Sequence, residues 1–176
     1  MAGTMRYRIA TTEEQATLRQ LLYYAVSVPP GEPRPALDVL DLPELVRYVR
    51  DWGRRAGDRG IVAEEDGTVV GGAWLRRWHK SDHGYGFVSE ATPELSMAVV
   101  PERRGRGIGT ELLRRLLAEA TTSYSSVSLS VAEYNGARRL YERFGFRAVG
   151  SDGDSITMLV RLDSDSPVHG AIGKSG

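Results

Sequence analysis

The chain has 176 residues, 41% of them hydrophobic, and 23 basic residues balance 23 acidic ones. That length supports one domain with a real core, and that composition argues against disorder across the main body. Zero net charge argues against a surface built to grip nucleic acid, and the absence of cysteine excludes disulfides, thiolate zinc sites and a cysteine nucleophile.

The first residues lack the apolar run of a signal peptide, and no stretch approaches membrane-spanning length, so a cytoplasmic protein is expected. Thr12-Glu13-Glu14-Gln15 reads as a capping box, followed by helical spacing of Ala16, Leu18, Leu21, Leu22 and Ala25. The proline-rich run 28–35 must be a loop. Asp41-Leu42-Pro43-Glu44 predicts a second helix start, which Leu45, Val46, Val49 and Trp52 continue to Gly53.

The period then changes from helical to alternating. Residues 61–64 and 69–75 flank Asp66-Gly67, a strong hairpin signal. Residues 76–84 read as a polar loop, 85–88 as a short third strand and 95–100 as a fourth. A helix is predicted over 110–121, with Leu112, Leu113, Leu116, Leu117 and Ala120 on one face. A strand over 126–131 follows. Asn135 opens a short helix closed by Gly145, and 156–162 is the last strand. Residues 1–162 form one domain, and 163–176 read as a polar, mobile tail. This order predicts an α/β fold, three layers around a mixed, mostly antiparallel sheet.

Between the fourth strand and its helix lies Val99-Val100-Pro101-Glu102-Arg103-Arg104-Gly105-Arg106-Gly107-Ile108-Gly109-Thr110. Glycines let backbone N–H groups approach an anion, and a helix start supplies unpaired N–H groups and a positive dipole end. The stretch therefore reads as a phosphate or pyrophosphate site. It is not a P-loop, because no Gly-Lys-Ser/Thr closes it, and its glycines at 105, 107 and 109 miss the Rossmann spacing.

Arg104-Gly105-Arg106-Gly107-Ile108-Gly109 instead fits the pattern [Q/R]-x-x-G-x-[G/A] after a strand ending in Val-x-Pro. Asn135 to Phe146, with Leu140-Tyr141-Glu142 and Gly145-Phe146, resembles a second signature of the same family. On these two motifs the chain resembles the GCN5-related N-acetyltransferase (GNAT) superfamily. The resemblance implies a GNAT-like α/β/α sandwich and an acetyl-CoA-dependent transfer to a primary amine of a small molecule or peptide. It implies that backbone N–H groups of Arg104, Gly105, Arg106, Gly107, Ile108, Gly109 and Thr110 cradle the pyrophosphate. The backbone of Met97, Ala98 and Val99 would pair with the pantetheine arm like an added strand. Asn135 would reach the same arm, cap its own helix, or do both.

Acetyl transfer needs a neutral amine, a polarised thioester carbonyl and a protonated leaving thiolate. Tyr141 is the candidate general acid; its alternative is a core aromatic. Glu94 is the candidate base, acting directly or through water, with Glu90 next and a solvated strand-end carboxylate as the alternative. His79 and His83 read as surface residues, and so do Arg54-Arg55 and Arg76-Arg77. Trp74, Trp78, Tyr85, Tyr23 and Tyr24 are either core aromatics or the wall of an acceptor pocket. No metal, nucleic acid or membrane partner is expected, and the family's habit of dimerising leaves a homodimer open. A non-catalytic acyl-CoA-binding regulatory module is the alternative function. Acetylation of aminoacyl-tRNA fits poorly with zero net charge.

Overall fold

A computed structural model describes residues 3–173. Seven strands form one sheet in the order β1-β2-β3-β4-β5-β7-β6: β1 (Met5–Ile9), β2 (Arg59–Glu65), β3 (Thr68–Arg76), β4 (Glu94–Val99), β5 (Ser126–Ala132), β6 (Arg147–Asp152) and β7 (Ser155–Arg161). Every neighbouring pair is antiparallel except β4 and β5. Helices α1 (Gln15–Ala25) and α2 (Pro43–Val46) lie on one face, and α3 (Ile108–Ala120), α4 (Ala137–Arg143) and α5 (Val168–Ile172) pack with the other. The expected α/β sandwich around a mixed, mostly antiparallel sheet is therefore present.

Strand alternation divides the core in two. On β2 and β3, Ile61, Ala63, Ala73 and Leu75 face the α3 side, whereas Val62 and Trp74 face α1. On β4, Leu95 packs with the α3 side and Ala98 with the α1 side. Leu112, Leu113, Leu116 and Leu117 of α3 are fully buried, each contributing roughly 1.5–3 kcal/mol. The β2–β3 turn is tight because Asp66 and Gly67 both adopt positive φ, 50° and 85°, as a type I′ hairpin requires.

Several expectations are corrected. Residues 85–88 are not a strand; they form a loop whose Gly86 N–H is committed to the Glu94 carboxylate rather than to a neighbouring strand. Two strands, β1 and β6, were not anticipated. The first α-helix starts without a Thr12 cap: the Glu14 carboxylate instead accepts the Thr11 N–H at 2.6 Å. The second helix is one turn, and residues 47–57 continue as turns.

Those turns are held by Arg76, expected at the surface but only 1% exposed. Its guanidinium donates to Arg47 O, Arg50 O and both Asp58 oxygens, at 2.7 to 3.0 Å. Arg76 is buried because it supplies the donors that these turn carbonyls lack. The tail also departs from expectation. Residues 163–173 fold back, with Val168 fully buried and Ile172 O accepting from Arg114, because this segment carries apolar side chains among its polar ones. The rest of the predicted tail, 174–176, lies outside the described residues. Among the described residues, no helix is long and apolar enough to cross a membrane, and no group of three His, Asp or Glu could hold a metal ion.

Candidate active site

β4 and β5 share a single bridge, Glu94 with Ser128, where Pro93 O accepts the Ser128 N–H. Beyond it the strands part, and a slot opens through the middle of the sheet. On its other edge β4 is fully paired with β3. The Val100 N–H donates to Val70 O, so by alternation Ala98 turns its backbone groups toward β3, while Met97 and Val99 turn theirs into the slot. Val99 O accepts from Arg104 Nε at 3.1 Å.

A cavity of about 1020 Å³ occupies the slot. At one end it is lined by Arg103, Arg104, Gly105, Gly107, Ile108, Gly109 and Thr110. Gly107 is the N-cap of α3 and sits at φ 78°, with Gly105 at φ 75°. A Cβ at either position would meet nothing within 4 Å, so both face open space. The first intrahelical acceptor, Gly107 O, takes the Glu111 N–H. The N–H groups of Ile108, Gly109 and Thr110 therefore lie before the helical ladder begins. Arg106 turns away from the cavity: with Arg103 it grips the Glu65 carboxylate at the end of β2. These two arginines hold that carboxyl below its ordinary range. The geometry thus offers backbone N–H groups and Arg104 to an anion.

Farther along the cavity stand Asn135 and Tyr141. Asn135 Oδ1 accepts the Ala137 N–H at 2.9 Å, so it caps α4 while bordering the cavity. Tyr141 is 7% exposed, packs edge-on against Phe146 at 5.8 Å, and has its phenol pushed up to about 12 by burial. Its core packing and its place on the cavity coexist. It comes from the α3 face, whereas Glu94 shares the α1 face with Ala98. The slot lets groups from both faces meet one space.

Glu94 is 3% exposed. Its Oε1 accepts from the Tyr48 hydroxyl at 2.8 Å and the Gly86 N–H at 2.7 Å, and its Oε2 accepts from Trp78 Nε1 at 2.7 Å. Burial raises its carboxyl to about 7, against the pull of those three hydrogen bonds. Glu90, by contrast, lies in an exposed loop and accepts the Lys80 N–H, away from the cavity. His79 is exposed and His83 stacks on Phe87 at 4.4 Å. Trp74 and Trp78 are core residues, while Tyr24 and Tyr85 line the cavity, as do Leu42, Leu45 and Glu44. Sequence reasoning missed Tyr48 and Glu65. Tyr48 falls in a segment whose apolar spacing reads as a helix, like any core aromatic, and nothing in the chain ties it to a residue 46 positions on.

Comparison with known proteins adds three findings. The Acetyltransferase (GNAT) family profile matches residues 25–146. The L-methionine sulfoximine/L-methionine sulfone acetyltransferase of Salmonella typhimurium is 35% identical over 88 residues, and the L-amino acid N-acyltransferase MnaT of Escherichia coli is 34% identical over 93. These matches span 49% and 52% of this chain, and 48% and 51% of the relatives. The chain thus spans about half the length of the curated relatives it matches. The structure of yncA from Salmonella typhimurium, described as an acetyltransferase with its cofactor acetyl-CoA, superposes with a TM-score of 0.65 at 25% identity, covering 93% of this chain and 96% of that one.

Proposed function

The chain belongs to the GNAT acetyltransferase family, and on that premise we propose that it is an acetyl-CoA-dependent N-acetyltransferase of small molecules. The acceptor is a primary amine of amino-acid type, a class suggested by the two curated relatives, which act on L-methionine derivatives and L-amino acids. A cytoplasmic location belongs to the same proposal.

The observation that carries this reading is the slot. It joins an open glycine turn at a helix start, an unpaired strand edge, a buried phenol and a buried carboxylate in one cavity. These features fit acetyl-CoA. Backbone N–H groups from Gly105 to Thr110 hold the pyrophosphate, with Arg104 beside them. Met97 and Val99 pair with the pantetheine arm and bring an N–H to the thioester carbonyl, where negative charge develops. Glu94 serves as base: a carboxyl near 7 is half-ionised at neutral pH and returns its proton readily. Tyr141, its phenol held neutral by burial, protonates the departing thiolate.

The test is CoA release from acetyl-CoA with a panel of amino acids, amino-acid derivatives and peptide amines. Stimulated thiol release with a subset of the panel is expected. Tight acetyl-CoA binding with no stimulation by any amine would establish the regulatory-module alternative instead.

A further inference from the structure

The Glu94 carboxylate is walled in. Oε1 already takes two donors, Tyr48 and Gly86. Oε2 takes Trp78, and a Cβ at Gly84 would collide with it. A Cβ at Gly86 would likewise meet Oε1. The 84–86 loop therefore lies directly on the carboxylate, and glycine at both positions is what permits that approach. Glu94 borders the cavity, but three donors and this loop leave an acceptor amine little room at either oxygen.

Tyr48 is buried beside the same Gly84, but its oxygen carries fewer partners. Its hydroxyl donates to Glu94 Oε1 and accepts the Tyr85 N–H at 2.8 Å, which leaves one lone pair. It borders the cavity, as do Tyr85 and Leu45. Its ring is fixed edge-on against Trp78 at 5.2 Å.

Resting on the acetyltransferase reading above, we propose that Tyr48 is a catalytic residue that takes the acceptor's proton and passes its own to Glu94. The ammonium nitrogen gives its first proton to the Tyr48 oxygen as the Tyr48 hydroxyl proton moves to Oε1. The freed lone pair forms the N–C bond and the C–S bond breaks. Tyr141 protonates the thiolate and is restored by the second nitrogen proton. Ammonium and thioester thus give amide, thiol and one proton, which Glu94 holds until it is released to solvent. Tyr48 stays neutral before and after, consistent with burial and the neighbouring carboxylate holding its phenol well above the ordinary range.

The test compares Tyr48→Phe, Glu94→Gln and the double variant by steady-state kinetics across pH. Tyr48→Phe keeps the ring and its packing. The expected result is a kcat lowered about a hundredfold at every pH, with acetyl-CoA affinity within about twofold of wild type, and a double variant no slower than the slower single one. A proton inventory of the wild-type protein in H2O–D2O mixtures stands apart from any folding defect. It should be curved, because two protons move together. An inactive Glu94→Gln beside a near-normal Tyr48→Phe, or a linear inventory, would overturn the relay alone. An active Glu94→Gln would overturn the base assignment and the relay with it. A wild type that no amine stimulates would overturn the acetyltransferase reading itself.

Discussion

Burial gives Glu94, the proposed base, a stability signature. Its carboxyl is raised to about 7 from an ordinary 4.5, chiefly by burial. Below pH 4.5 it is protonated in both folded and unfolded chains, and the fold bears no penalty for it. As pH rises toward 7, the unfolded chain gains by ionising while the folded one resists. Stability is therefore lost across that window and levels off above it. At about 1.36 kcal/mol per pH unit, the separation corresponds to about 3 kcal/mol. Glu94→Gln cannot ionise and lacks this slope. Other groups, such as Glu111, held down to about 2 by Arg114 and Arg115, titrate alike in both proteins and cancel in the difference. Urea unfolding of wild type and variant at about pH 4 and about pH 8.5 is the assay. The variant should gain about 3 kcal/mol on wild type between the two. A relative change under about 1 kcal/mol would refute the reasoning, because the carboxyl would then titrate near its unfolded value.

Two further outcomes follow from the same cavity. Gly107→Glu should abolish acetyl-CoA binding in calorimetry, since it puts a side chain at φ 78° and a negative charge at the anion end; unchanged affinity would remove the glycine turn from the site. Tyr141→Phe should lower turnover by roughly a hundredfold with acetyl-CoA affinity nearly unchanged; retained turnover would end its role as acid.

What the sequence disclosed depended on whether a feature was local. The Asp66-Gly67 hairpin, the leucine face of α3 and the Gly145 cap each rest on adjacent residues, and each appears as expected. Along β4, strict alternation turns Glu94 and Ala98 to one side, where Glu94 meets Tyr48 and Trp78 and Ala98 packs with the same cluster. β6 could not be read because all six of its residues are exposed, so no apolar pattern marks it. Residues 85–88 imitated a strand because Tyr85, Phe87 and Val88 are strand formers, but Gly84 and Gly86 serve contact with Glu94 instead. Arg76-Arg77 looked like one surface pair, yet only Arg76 is drawn inward, by carbonyls and an aspartate that no local pattern connects to it. Long-range polar partners, Tyr48 for Glu94 and Glu65 for two arginines, were invisible for the same reason.

The parting of β4 from β5 gives this protein an edge in the middle of its sheet. Unpaired strand edges invite other chains to add themselves, and proteins commonly shield their outer ones with charges, bulges or short strands. Here the hidden edge is flanked by β5 and closed at one end by the turn into α3. A slender, flexible thread can lie along it, whereas a polypeptide strand with neighbours of its own cannot enter. The same gap that offers hydrogen bonds to a small partner thus denies them to aggregation.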